Sequence, residues 1–208
     1  MYLSRIFLPW RPGQNPYNWH QQLWNLFPEE SSRRNKIKME KEAKDEKAEF
    51  SAYFLFRIEK ITPGQGAVLL VQSPAKPIEN GAIKILKGPG ELTYNNIFES
   101  AKVKFILTAN PTKMKSSDRN RVPHIGEQNL INWLNEKIAG FGKLDGEIFV
   151  TPSHPIYFRK SNNAGKINPV TFEGEMEITE IAAFKKAAFA GIGPAKAFGC
   201  GLLLVKPV

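Results

Sequence analysis

The apolar residues of this chain come in short stretches that end in polar, Pro or Gly residues, and that punctuation is the strongest limit on what it can fold into. Stretches such as 2–8 (YLSRIFL), 67–73 (AVLLVQS) and 101–110 (AKVKFILTAN) have the length and residue types of strands. Each gives way to polar, Pro or Gly residues, which stop a strand or turn it back. No run approaches the roughly 20 apolar residues that span a bilayer as a helix. Many short strands broken by a few helices remain, which is an α+β pattern.

Asn15 and Pro16 form a helix-start signal, Asn as N-cap and Pro at the first helical position, and Pro28 closes the segment. Within it Trp19, Leu23, Leu26 and Phe27 recur at helical spacing and face the core, while Tyr17, His20, Gln21 and Trp24 occupy a neighbouring face. Residues 33–49 mix both charge signs with almost no apolar residues and read as a solvated helix or a disordered insertion. Residues 51–60 and 67–73 are joined by a Pro-Gly turn, as an antiparallel pair would be. Alternation in 101–110 puts Lys102 and Lys104 on one exposed face.

Residues 111–123 (PTKMKSSDRNRVP) are polar, basic and without periodicity, which marks a linker or a loop over an anionic partner. A helix follows at 127–139, with Leu130, Ile131, Leu134 and Ile138 on one stripe. Strands are expected at 146–151, 155–160 and 166–177, then a helix at 179–189, a glycine-rich stretch and a last strand. The organisation expected from these signals is an N-terminal domain over 1–113, a linker over 114–126 and a C-terminal domain over 127–208.

A length of 208 residues suits one large or two small domains, each able to bury its own core. The formal charge of +9 attracts polyanions, nucleic acid above all, and an anionic membrane surface is the weaker candidate. The N-terminus lacks the order of a secretory signal, so the expected location is the cytoplasm. A single cysteine, Cys200, excludes an internal disulfide and a cysteine-based zinc site, and reads as a small buried residue.

Three segments carry candidate chemistry. Histidine exchanges protons near neutrality, and His20 sits one helical turn from Tyr17, so both side chains can converge on one phosphate; a histidine packed beside aromatics fits the same spacing. His124 and His154 lie in Pro-flanked segments without partners at metal-ligand spacing, so no metal site and no cofactor are expected. Residues 191–201 (GIGPAKAFGCG) place Gly191, Gly193, Gly199 and Gly201 around Lys196, a pattern that suits close approach to a phosphate or a tight turn against a helix. A dinucleotide fold would need a long βαβ unit after the glycines, and only seven residues remain beyond Gly201. Residues 157–167 (YFRKSNNAGKI) look like a projecting hairpin with Arg159, Lys160 and Lys166, which can contact a duplex backbone or simply be solvated.

Taken together, MYLSR at the N-terminus, YNWHQQLWNLFP (17–28), FLFRIEK (54–60) and GIGPAKAFGCGLL (191–203) resemble the CasE family of repeat-processing endoribonucleases in type I-E CRISPR systems. LLVQS (69–73), ANPTK (109–113), RVP (121–123) and GKI followed by FEG (165–174) extend the likeness over nearly the whole chain. The resemblance implies tandem ferredoxin-like (RRM-like) domains with antiparallel sheets, which bind the stem-loop of each CRISPR repeat in precursor crRNA and cut at the 3′ base of the stem. It places the family's catalytic histidine on His20 and the helper tyrosine on Tyr17. The implied reaction is metal-independent attack of the neighbouring 2′-hydroxyl on the phosphate. RNA contacts are expected from Lys113, Lys115, Arg119 and Arg121, from Arg159, Lys160 and Lys166, and from the glycine segment with Lys196. Implied partners are the repeat RNA and the other subunits of a type I-E Cascade complex. A non-catalytic RNA-hairpin-binding subunit is the alternative.

The chain departs from the family in two places. Its charged run at 33–49 is longer than the usual connection, and Asn25 stands five positions after the histidine, where some relatives have a basic residue. The phosphate-stabilising cation is thereby left open, with Lys36, Lys38 or a linker residue as substitutes.

Overall fold

The computed structural model describes residues 1–11, 16–42, 52–114, 121–160 and 163–208. The chain divides into two compact units, Met1–Leu92 and Thr93–Val208.

The first unit runs β1 (Tyr2–Pro9), α1 (Pro16–Leu23), a 3-10 turn (Trp24–Leu26), α2 (Pro28–Glu42), β2 (Leu55–Thr62), β3 (Gly66–Ser73) and β4 (Lys84–Glu91). Its sheet has the order β2-β3-β1-β4, every pairing antiparallel. That is the ferredoxin-like order, with an irregular connection in place of a second helix between β3 and β4. Alternation along β1 sends Ser4, Ile6 and Leu8 to the buried face, where Leu69 and Val71 of β3 join them. Trp19, Leu23 and Leu26 cover that face from α1 and the turn, together with Phe27 and the neighbouring Phe54 and Phe56. Fully burying one such large side chain contributes about 2 kcal/mol. The core therefore pins α1, and with it the face that carries Tyr17 and His20.

The second unit contains β5 (Lys102–Ala109), β6 (Thr112–Met114), β7 (Arg121–Pro123), α3 (Glu127–Ile138), β8 (Gly142–Pro152), β9 (Ile156–Lys160), β10 (Asn163–Ile167), β11 (Val170–Ile178), α4 (Ile181–Ala190), a 3-10 turn (Lys196–Phe198) and β12 (Leu203–Pro207). The sheet order β12-β5-β11-β8 repeats the ferredoxin-like arrangement, here with both helices present. Leu130, Trp133, Leu134 and Ile138 are the buried stripe of α3, and the Trp133 ring stacks on Phe172 of β11 at 6.0 Å. The Glu180 carboxylate caps α4 by accepting hydrogen bonds from the backbone N–H groups of Ala182 and Ala183. Cys200 is buried, as expected, and burial pushes its thiol up to about 12.

The α+β class with antiparallel sheets agrees with the sequence reading; the division between domains does not. The strand at 102–109, expected within a first domain over 1–113, is a central strand of the second sheet and pairs with β11 and β12. The division falls at Leu92, because β5 buries Val103, Phe105, Leu107 and Ala109 in the second core. Part of the expected linker over 114–126 is also ordered: β6 and β7 pair with each other, and α3 starts at Glu127. Pro28 opens a helix as well as ending one. It occupies the first position of α2, where the missing N–H costs nothing, and so carries the charged run to Glu42 as a helix. The rest of that run lies outside the described residues. The strand β4 was not expected, since Gly88, Pro89 and Gly90 break its pattern; an edge strand tolerates them.

Candidate active site

The first helix presents Tyr17 and His20, and the 3-10 turn after it presents Trp24, on the face beside the buried stripe, because positions three and four apart share one side of a helical segment. His20 is half-buried, and aromatic rings surround it. Its ring centroid lies 6.4 Å from Tyr17 in a stacked arrangement and 6.2 Å from Trp24, edge to face. Phe54 approaches to 5.0 Å and Phe56 of β2 to 6.3 Å. Burial among these rings disfavours a charged imidazole, and the nearby Arg34 cation adds to the effect, so the pKa of His20 is lowered to about 4. At neutral pH the imidazole is neutral, the form that accepts a proton.

Arg34 comes from α2. The carbon of its guanidinium stands 4.5 Å from the centroid of the Trp24 ring, a cation–π contact. Trp24 also stacks on Tyr53 at 5.5 Å, and neighbouring Arg33 pairs with Glu30 at 2.7 Å. The tyrosine hydroxyl at 53 is raised above its ordinary range, first by burial and then by the carboxylate of Glu30. The suggested substitutes Lys36 and Lys38 are both exposed. Arg34 escaped the sequence reading because the charged run had no fixed helical phase; Pro28 at the start of a helix supplied that phase.

The expected RNA-contacting residues fall in the second unit and do not form one cluster along the chain. Lys113 on β6 and Arg121 on β7 are exposed, at adjoining register positions of one small ribbon. Lys115 and Arg119 lie outside the described residues. Arg159 and Lys160 belong to β9, paired across from Ala164 and Asn163 of β10. On β10 Lys166 is exposed, with its ammonium 5.6 Å from the Tyr157 ring centroid. The expected basic hairpin is thus present as two paired strands.

The glycine segment has a packing role that the pattern alone left open. A side chain at Gly193 would put its Cβ 3.0 Å from the Trp133 ring, at a φ of +78° that favours glycine. The Ile192 N–H donates to the Gly201 carbonyl at 2.9 Å, and the Gly201 N–H to the Thr108 carbonyl of β5 at 2.7 Å. Lys196, expected to offer a cation to phosphate, donates from Nζ to the Ala190 carbonyl at 2.7 Å, and burial lowers its pKa. It ties the loop to the end of α4. Lys102 and Lys104 share the exposed face of β5 as expected, but each faces a carboxylate: Asp145 at 2.6 Å and Glu175 at 3.5 Å. That face is therefore mixed in charge rather than basic. Among the described residues no group of three or more His, Cys, Asp and Glu could hold a metal ion, and no helix is long and apolar enough to cross a membrane.

Two units with the ferredoxin-like sheet order, the first carrying His20 against Tyr17 and Trp24, define a tandem α+β class of protein. A model of the family described as CRISPR associated protein matches residues 1–207, and the chain belongs to that family. It is 31% identical to the CRISPR system Cascade subunit CasE of Escherichia coli K12, over 100% of both chains. It is 27% identical to the CRISPR-associated endoribonuclease Cse3 of Thermus thermophilus, over 74% of this chain and 79% of that one. The crystal structure of the CRISPR-associated protein Cas6e from Escherichia coli K-12 superposes with a TM-score of 0.76 at 30% identity, covering 100% of both chains.

Proposed function

We propose that this protein is an endoribonuclease of CRISPR RNA processing, which binds the stem-loop of the repeat in precursor crRNA and cuts at the 3′ base of the stem without a metal ion. The observation that carries the proposal is His20: a neutral imidazole in an aromatic cradle, one helical turn from Tyr17 and within the field of Arg34. Membership of the CRISPR associated protein family and the names of the relatives CasE and Cse3 support the same reading. The name of the first also makes the other subunits of a Cascade complex the expected protein partners.

In the proposed reaction the 2′-hydroxyl beside the scissile phosphate gives its proton to the imidazole of His20 as its oxygen attacks phosphorus. The bond from the 2′-oxygen to phosphorus forms, and the bond from phosphorus to the 5′-oxygen breaks. That oxygen takes a proton from the neighbouring Tyr17 hydroxyl, leaving a 2′,3′-cyclic phosphate and a 5′-hydroxyl. Lys113 and Arg121 on the β6–β7 ribbon, with Lys166 and the basic hairpin, are the proposed contacts to the RNA backbone. Contacts of this kind grip an A-form stem by its shape and phosphates, since its narrow major groove hides the base edges.

The test is single-turnover cleavage of a repeat hairpin RNA in the presence of a metal chelator. Wild-type protein is expected to cut once and leave a cyclic phosphate end. His20→Ala is expected to slow the cut by roughly 10²- to 10⁴-fold, the range of a general acid or base, with RNA binding nearly unchanged. Loss of wild-type cleavage on chelation, or a His20→Ala rate equal to wild type, would refute the proposal.

A further inference from the structure

The endoribonuclease reading leaves one chemical requirement unmet. An attacked phosphate gathers negative charge in the transition state, and a fixed cation beside it is among the largest contributions a protein makes. Asn25, on the turn after α1, carries no charge. The cations of α2 differ in what they touch. Arg33 is exposed and paired with Glu30, Lys36 and Lys38 are exposed, and Lys41, half-buried, belongs to the last turn, about two turns beyond Arg34. Arg34 is half-buried with its guanidinium laid on Trp24 at 4.5 Å, and Trp24 in turn meets the His20 ring edge to face at 6.2 Å. Guanidinium, indole and imidazole thus form one chain of contacts reaching from α2 to α1.

We infer that Arg34 is a catalytic residue of the cleavage, contacting the scissile phosphate through its guanidinium while Trp24 holds that group in place. A guanidinium held over an indole keeps its positive charge, and an arginine recognises phosphate as a fork onto two of its oxygens. Its charge is already felt at His20, where it adds to burial in keeping the ring neutral, so an anion near the imidazole would be near this cation too. The charged run that follows α1 therefore has a function: its first turns, ordered as a helix by Pro28, bring a cation to the histidine.

This inference rests on the endoribonuclease reading, and one experiment separates the two. Single-turnover cleavage of a repeat hairpin RNA is measured for wild type, His20→Ala, Arg34→Gln and Arg34→Lys. Binding is measured in parallel on the same hairpin with a 2′-deoxy sugar at the cut site. Arg34→Gln is expected to lower the cleavage rate about 100-fold, with the affinity for the deoxy hairpin within about threefold of wild type. Arg34→Lys is expected to recover part of the rate, as a point charge without the fork. If Arg34→Gln fails to fold, Arg34→Met, which keeps an apolar cover on Trp24, is read in its place. A rate within about threefold of wild type while His20→Ala is inactive would overturn the role of Arg34 and leave the enzyme reading intact. A parallel loss of binding and rate, with saturated cleavage unchanged, would also overturn it, making Arg34 an affinity contact only. A wild-type protein that does not cut overturns both.

Discussion

Acidification should titrate His20 far below the range of an ordinary histidine, and the size of that displacement follows from what surrounds the ring. Phe54 and Phe56 pack against it from β2 and the residues before it, Tyr17 and Trp24 flank it on the first helical segment, and Arg34 adds a positive charge from α2. Moving the pKa from 6.5 to about 4 is worth about 3 kcal/mol, at 1.36 kcal/mol per unit. The folded state therefore binds fewer protons than the unfolded chain between those two values. Stability is unaffected above about pH 6.5, falls as pH drops through the window, and is about 3 kcal/mol lower once pH passes below 4. The assay is an NMR titration of the imidazole C–H resonances, with the His20 signal identified by its absence in His20→Gln. A midpoint near 4 is expected, moving upward in Arg34→Gln but stopping short of 6.5, because burial is the larger cause. The acid limb of kcat/KM should lie at the same midpoint, since that parameter reports the free enzyme. A midpoint at or above 6.5 in the wild type would refute the description of a neutral imidazole held by its surroundings.

Two further outcomes concern the second unit. Lys166→Ala should weaken binding of a repeat hairpin and lower the slope of log affinity against log salt by about one, because one fewer phosphate is neutralised; an unchanged slope would remove Lys166 from the RNA contacts. Gly193→Ala should destabilise the fold by about 2 kcal/mol in chemical denaturation, since the added methyl meets the Trp133 ring at 3.0 Å on a backbone with φ +78°. Equal stability would show that the glycine is not needed for packing.

Much of the architecture was legible in the sequence because it is local. Alternation along 2–8 and 67–73, the helical spacing of Trp19, Leu23 and Leu26, and the stripe of Leu130, Leu134 and Ile138 each fix an element and its buried face within a few residues. The placing of Tyr17 and His20 on one helical face follows from the same spacing. Family likeness then supplied roles that no spacing could.

Strand pairing, by contrast, is decided far from the residues that form the strand. The pattern of 101–110 identifies a strand but says nothing of its partners, so only the folded chain shows that β5 lies between β11 and β12 in the second sheet. The surroundings of a charge are nonlocal in the same way. Lys196 bonds to Ala190, Lys102 to Asp145, and Arg34 lies on Trp24, though in the sequence all three are simply basic residues. A period of two or 3.6 residues is set by backbone geometry and can be read along the chain, whereas the field at His20 is a sum over groups that only tertiary packing brings near.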